Sequence, residues 1–96
     1  MSKAMNKAEK AHVSAVVRLG CIVCRDMGHQ DSPAEAHHPR HGVGMGKKAS
    51  HFDVIPLCPT HHRTGGPCIA IHAGRFTWES IFGTESELLE KVKGLL

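Results

Sequence analysis

The sequence of 96 residues contains no tyrosine, one tryptophan and three phenylalanines, so aromatic side chains make up only 4% of it. A chain of this length allows one small domain, which excludes a multidomain enzyme. A core with so few large side chains supplies only about 3–5 kcal/mol of stability, and small domains of this kind often add a disulfide or a metal ion. The composition therefore predicts a domain that needs such a cross-link.

Long apolar segments are absent as well. Lysines interrupt the first 20 residues, whereas a secretory leader has an apolar stretch of about 7–15 residues. No run approaches the roughly 18 apolar residues that cross a membrane. We therefore expect a cytoplasmic protein, whose cysteines remain reduced thiols rather than disulfides.

Charge of neither sign dominates the chain. Twelve Lys and Arg stand against nine Asp and Glu, a net charge of +3. A hydrophobic content of 41% with 22% charged residues excludes a disordered tail. The basic excess lies in the first half of the chain, where it suits an anionic partner. A solvated surface explains it at least as well, so charge alone leaves both interpretations open.

Local patterns predict short elements around a loop-rich middle. Apolar residues at spacings of three and four indicate a helix over 4–19, and the apolar run 53–57 indicates a strand that Pro56 confines to an edge. Pro59 favours the start of a short helix, which the Gly-Gly-Pro stretch 65–67 should end. The remaining predictions are an extended piece over 69–72, a helix over 77–82 and a last helix that begins with the capping box Thr84-x-x-Glu87.

Metal ligands are what the sequence has in abundance. It contains nine His and four Cys, and twelve of the thirteen lie between Cys21 and His72. Cys21 and Cys24 share a spacing of two intervening residues with Cys58 and His61. A Cys3His set fills the tetrahedral coordination of zinc, so the site would be structural and its binding energy would act as folding energy. Buried thiols that happen to lie near histidines are the alternative, which leaves the shared spacing unexplained.

Two histidine doublets indicate a second site. Neighbours on a helix point about 100° apart, so His61 can face the zinc while His62 faces a different site. Neighbours on an extended segment alternate, so one of His37 and His38 can bind a shared metal while the other stays free as a base. A neutral imidazole with a pKa of about 6.5 can accept a proton from water at physiological pH.

Two segments carry a resemblance to a known family. The stretches Glu35–Pro39 (EAHHP) and Asp53–His62 (DVIPLCPTHH) resemble the HNH endonuclease superfamily, whose active site is a ββα-metal unit. With the segment Gly44–Lys47, they are similar to small phage and prophage nucleases of the RecA-dependent Ref type. The resemblance covers about residues 21–72. It implies an α+β fold in one domain, 1–96, with an N-terminal helix (1–20), a zinc and catalytic core (21–72) and C-terminal helices (77–96).

The resemblance also implies roles for individual residues. His37 would be a ligand of the catalytic metal, and His38 would be the general base. Asp53 stands where the family usually has Asn, the residue that orients the base, and its carboxylate could do the same. His62 would be the metal ligand from the short helix.

The family's further ligand position falls on Gly66, which has no side chain. His72 is the best remaining ligand, and Cys68 is a weaker competitor. The other expected contacts are those to nucleic acid, which would come from Arg40, His41, Lys47, Lys48 and Arg63.

The function implied is hydrolysis of DNA phosphodiester bonds by an endonuclease with a structural zinc and a second, catalytic divalent metal (Mg, Mn, Ni or Zn). Recombinase-coated DNA is a possible partner by family analogy only. The alternative is a zinc-stapled nucleic-acid-binding module without cleavage, which the Asp at the Asn position and the truncated helix favour. Metal storage explains the histidine count but not the paired spacings. A second, open metal site would distinguish the nuclease from the module.

Overall fold

A computed structural model describes residues 5–39 and 50–96, and within them the chain forms four α-helices and one two-stranded sheet. In chain order the elements are α1 (Lys7–Arg18), α2 (Ile22–Asp26), β1 (Glu35–His37), β2 (Ile55–Leu57), a π-helical turn (Thr60–Thr64), a 3₁₀ turn (Ile71–Ala73), α3 (Arg75–Phe82) and α4 (Glu85–Leu95). This arrangement confirms the predicted α+β class.

Helix α1 begins later than the sequence pattern predicted, because Asn6 caps it. The Asn6 side chain accepts from the Glu9 backbone N–H at 2.8 Å, and the Glu9 carboxylate accepts from the Asn6 backbone N–H at 2.9 Å. Gly20 follows the helix with a φ of +78°, a conformation that favours glycine. A Cβ at Gly20 would lie 2.6 Å from the carbonyl oxygen of Gln30, so glycine also allows the close approach of the next loop.

The sheet is a short antiparallel pair in which Glu35 faces Leu57, Ala36 faces Pro56 and His37 faces Ile55. Pro56 lacks a backbone N–H, and a two-stranded sheet tolerates this because both of its strands are edges. Strand β2 begins at Ile55, two residues after the start of the predicted strand.

The C-terminal helices follow their predicted signals closely. The Thr84 hydroxyl accepts from the Glu87 backbone N–H at 3.1 Å, and the Glu87 carboxylate accepts from the Thr84 N–H at 2.9 Å, which confirms the capping box. Helix α3 begins two residues before the predicted position. The prediction of an extended piece over 69–72 is wrong, because Ile71–Ala73 forms a 3₁₀ turn there.

The core is small and contains few aromatic side chains. Trp78 is fully buried, and its indole N–H donates to the carbonyl oxygen of Ile69 at 2.9 Å. The Phe82 ring packs 5.1 Å from Trp78. Phe52 and Phe76 are 44% and 77% exposed. Two of the four aromatic rings therefore contribute little to the core. Among the described residues, no helix combines the length and apolar character needed to cross a membrane.

Candidate metal centres

The first candidate centre brings together Cys21, Cys24, Cys58 and His61. The sulfurs of Cys24 and Cys58 are 3.8 Å apart, and His61 Nδ1 lies 3.1–3.8 Å from the three sulfurs. A tetrahedral zinc site with Zn–S bonds of about 2.3 Å separates its sulfurs by about 3.8 Å. The four side chains are therefore placed to hold a metal ion, as the paired spacing predicted.

Three elements position these four ligands. Cys21 caps the N-terminus of α2, where its sulfur accepts from the Cys24 backbone N–H at 3.5 Å. Cys58 follows the last residue of β2, and the π-helical turn then carries His61. The His61 ring also contacts the Phe82 ring, with centroids 5.3 Å apart. The centre therefore links α2, the sheet and α3.

Burial controls the protonation of this centre. Desolvation raises the pKa of Cys21 to about 12 and lowers the pKa of His61. Without a cation the Cys21 thiol therefore keeps its proton at neutral pH, while the imidazole stays neutral and available as a ligand. A bound divalent cation displaces thiol protons, so binding weakens as the pH falls.

A second group of ligands lies apart from the first. One nitrogen of each of His37, His62 and His72 falls within 4.8 Å of the others. The Nε2 atoms of His62 and His72 are 3.0 Å apart, and the His37 ring centroid lies 5.1 Å and 5.3 Å from theirs. Three imidazoles at these distances can share a cation. The structure thus brings together the three histidines that were predicted as ligands of the catalytic metal.

Two carboxylates orient two of these histidines. Glu85 Oε2 lies 2.6 Å from His37 Nε2, and Glu35 Oε1 lies 2.6 Å from His62 Nδ1. A carboxylate accepts the ring N–H and so leaves the other nitrogen, Nδ1 of His37 and Nε2 of His62, as a metal ligand. Metal-binding histidines in proteins commonly have such a partner. The donor set therefore fits a divalent cation.

Glu35 is held in its charged form by Arg63. The Arg63 guanidinium donates to both carboxylate oxygens, at 2.7 and 3.2 Å. These hydrogen bonds first, and the one with His62 second, lower the pKa of Glu35 to about 2. Glu35 therefore remains an acceptor for His62 at any pH at which the protein is used.

The π-helical turn lets two adjacent histidines serve two centres. Its wide loop is closed by the Gly65 backbone N–H, which donates to the carbonyl oxygen of Thr60, five residues earlier, at 3.0 Å. His61 then faces the cysteines and His62 faces the other histidines. A Cβ at Gly65 would lie 2.5 Å from the same oxygen and 2.5 Å from Ile69 Cγ2, so the turn requires glycine there.

Gly65→Ala is expected to destabilise the protein by about 1–3 kcal/mol, the usual cost of forcing an extra methyl group into a packed site. Gly94→Ala is the matched control, because nothing beyond the adjoining backbone of its own helix lies within 4 Å of the added Cβ and alanine favours a helix by about 0.5–1 kcal/mol. Urea denaturation of the metal-loaded proteins measures both effects. Equal stability of the two variants would contradict the close packing at Gly65.

The predicted base and its predicted partner have different neighbours. His38 Nε2 lies 3.0 Å from His51 Nδ1, with the rings nearly perpendicular. The Asp53 carboxylate, which is 46% exposed, lies 3.4 Å from Lys93 Nζ. His51 therefore occupies a place beside His38 that the sequence had suggested for Asp53. The role of Asp53 at the base stays a prediction.

The other predicted site residues are scattered. Cys68 is exposed and belongs to neither ligand group among the described residues. Arg63 is 57% exposed and touches the second centre through Glu35. The remaining predicted contacts to nucleic acid fall in the stretch 40–49, outside the described residues: Arg40, His41, Lys47 and Lys48.

Sequence reasoning gave no role to three residues that touch the predicted site. Glu35 lies two residues before His37 on β1, and this alternation on one strand face could have indicated it. His51 lies in polar loop sequence, where a histidine is more often a surface side chain than a ligand. Glu85 is 48 residues from His37 in the chain, so no local spacing signals it.

Comparison with protein families gives a match over nearly the whole chain. Residues 6–96 match a protein family described as "Recombination enhancement, RecA-dependent nuclease". A search of the curated proteins found no match.

Proposed function

The chain belongs to the family of RecA-dependent nucleases of recombination enhancement, and on that premise we propose that it is a metal-dependent, HNH-type endonuclease that hydrolyses DNA phosphodiester bonds. The family description identifies a nuclease, and its role in recombination makes DNA the expected substrate. The observation that carries the finer proposal is the second ligand group, His37, His62 and His72, set apart from the Cys3His centre.

The order of elements around this group supports an HNH-type core. Strands β1 and β2 pair antiparallel, and the π-helical turn follows β2 after two residues. His37 is the last residue of β1 and His62 lies in the turn. A metal ion between a strand end and a helical turn is the arrangement that the ββα-metal resemblance implies.

The catalytic metal would be held by His37 Nδ1, His62 Nε2 and His72. An ion held there would supply stabilisation of the charge that develops on the phosphoryl group. Three imidazoles suit Zn²⁺ or Ni²⁺ better than Mg²⁺ or Mn²⁺, which prefer oxygen ligands. Mg²⁺ remains in the set to be tested because the protein supplies only three ligands, which leaves positions for water and phosphate oxygens.

We assign the general base to His38, which directly follows His37 in the chain. His38 would accept a proton from the attacking water, and His51 would hold its ring through the 3.0 Å contact between their nitrogens. Arg63 would meet a phosphate at the edge of the site, as would Arg40, His41, Lys47 and Lys48 from the stretch 40–49. Asp53 is kept as a second candidate for supporting the base.

Plasmid nicking and metal content test the proposal together. Wild-type protein that is stripped with a chelator and then given metal is expected to bind two divalent ions per chain. It should nick supercoiled DNA only when the second ion is present. His62→Ala should bind one ion and lose nicking. His29→Ala is the control, because His29 is exposed and belongs to neither ligand group in the described part of the chain.

The same experiment distinguishes the nuclease from the alternative function, a zinc-stapled nucleic-acid-binding module without cleavage. The pairing of Asp53 with Lys93 favours this alternative, because it draws the carboxylate toward α4. Such a module would bind one ion per chain and would bind DNA in a filter-binding assay, but it would not nick the DNA. Because the family description includes dependence on RecA, each protein is assayed on both naked and RecA-coated DNA. Nicking by wild type and His62→Ala at equal rates would overturn the proposal.

A further inference from the structure

We infer that Glu85, the first residue of α4, is a positioning residue of the three-histidine site, one that fixes His37 in the orientation and tautomer that bind a divalent cation. The inference rests on the proposed function, since it concerns the second metal site. It extends that site to a helix outside the Cys- and His-rich part of the chain.

The contact between Glu85 and His37 is short and buried. Glu85 Oε2 lies 2.6 Å from His37 Nε2, and the two side chains are 0% and 2% exposed. A carboxylate removed from water is stable only when it is paired and hydrogen-bonded. The position of Glu85 in the interior therefore depends on what its two oxygens contact.

Other groups complete the surroundings of this carboxylate. Arg75 Nη1 lies 3.3 Å from Glu85 Oε1, so each oxygen has a nitrogen partner. The backbone N–H of Glu85 donates to Glu79 Oε2 at 2.7 Å, which fixes the start of α4. The N-terminal end of a helix also favours a negative charge. These contacts hold the carboxylate in place independently of His37, so it can impose an orientation on the imidazole.

The chemical consequence concerns the tautomer of His37. An ionised carboxylate can only accept, so His37 Nε2 carries the proton and Nδ1 carries the lone pair. The His62 and His72 ring centroids lie 5.1 Å and 5.3 Å from that of His37, and one nitrogen of each of the three rings falls within 4.8 Å of the others, so the three can share a cation. A buried negative charge behind the imidazole also strengthens it as a ligand.

Glu35 provides an internal comparison for this role. It orients His62 at the same distance, 2.6 Å, but its side chain is 31% exposed whereas that of Glu85 is 0% exposed. Solvent screens the charge of Glu35 more strongly than that of Glu85. Loss of the Glu85 charge should therefore weaken metal binding more than the loss of the Glu35 charge.

The test measures binding of Co²⁺ to the whole chain by calorimetry and by absorption. Both centres give cobalt ligand-field bands, but only the Cys3His centre adds thiolate-to-cobalt charge-transfer bands. Ligand-field absorption that grows without charge-transfer absorption therefore reports the three-histidine site. Glu85→Gln keeps the volume but removes the charge, and it is expected to weaken binding at the second site by about 10–100-fold. The affinity at the Cys3His centre should not change.

Glu90→Gln is the matched control, because Glu90 is an exposed glutamate of the same helix. Glu35→Gln should show a smaller loss than Glu85→Gln. If Glu85→Gln fails to fold, Glu85→Asp keeps the charge but shortens its reach, and the same selective loss of affinity is expected.

Two outcomes separate the inference from the proposed function. A wild type that binds a single ion would overturn the second site itself, and the inference with it. A wild type that binds two ions, with Glu85→Gln and Glu85→Asp binding the second as tightly, would overturn only the role of Glu85. Equal weakening at both centres would also contradict it, because that pattern indicates a general loss of structure.

Discussion

Replacing Cys58 with serine is expected to leave the protein unfolded at room temperature. Cys58 Sγ lies 3.1 Å from His61 Nδ1 and 3.8 Å from Cys24 Sγ, so its loss leaves three ligands for the first centre. Structural zinc sites contribute about 10–16 kcal/mol in small zinc peptides. A small core contributes only about 3–5 kcal/mol. Even a partial loss of this binding energy is therefore larger than the stability that the core supplies.

Cys68→Ser is the matched control for this variant. Cys68 is an exposed free cysteine outside both ligand groups of the described residues. Far-ultraviolet circular dichroism and zinc content are measured for both variants, together with the effect of a chelator. We expect Cys68→Ser to keep its zinc and its thermal transition. A Cys58→Ser protein that melts like the wild type would show that the fold does not depend on this centre.

The size of this expected effect follows from the core. Of the four Trp and Phe rings, all of which lie in the described residues, only Trp78 and Phe82 pack on each other in the core, and the other two phenylalanines are substantially exposed. The last helix buries Leu88 and Val92 but leaves Leu95 41% exposed. The apolar stripe predicted for that helix therefore adds less burial than its sequence suggests. A metal ion held by the first centre would link α2, the end of β2 and the π-helical turn, and would replace these missing contacts.

The first ligand set could be predicted from the sequence because its signal is local. Cys21 and Cys24 are separated by a single turn, as are Cys58 and His61, and each pair needs only short-range backbone geometry to converge. The meeting of the two pairs is a long-range event. The two pairs share one spacing and together complete a tetrahedral Cys3His set, so the spacing was sufficient to predict that they meet.

The second site was less accessible to sequence reasoning. His37, His62 and His72 could be nominated from two doublets and a resemblance, but their partners could not. Glu85 reaches His37 through the packing of α4 on the rest of the domain, and its place after the cap residue Thr84 looks like an ordinary acidic first turn. Tertiary contacts between distant segments, not local propensity, decide which carboxylate faces a histidine.

Local irregularity accounts for the wrong or imprecise elements. The sequence predicted a short helix after Pro59, and the structure has a π-helical turn there, because Gly65 allows its N–H to reach Thr60. The 3₁₀ turn at Ile71–Ala73 stands where an extended piece was predicted. In the part of the chain that the structure describes, the sheet consists of β1 and β2 and offers this segment no partner strand. In this turn His72 meets His62, at 3.0 Å between their Nε2 atoms.

The second large effect is expected for His38→Ala, which should lower the rate of DNA nicking by about 10²–10⁴-fold, the usual contribution of a general base. Its neighbour His37 is the proposed metal ligand, so a loss of activity has meaning only if metal binding survives. We therefore expect His38→Ala to keep two ions per chain and the wild-type thermal transition. His29→Ala should retain wild-type activity.

His51→Ala tests how His38 acts. If His51 orients the base through the contact at 3.0 Å, its removal should lower the nicking rate by less than His38→Ala does, because a misplaced base still accepts protons. The double variant should then be no slower than His38→Ala alone, since an orienting residue has no function without the base. Additive losses would mean that His51 acts elsewhere. Wild-type nicking by His38→Ala, with both ions bound, would require another group to activate the water, and Asp53 would be the next residue to replace.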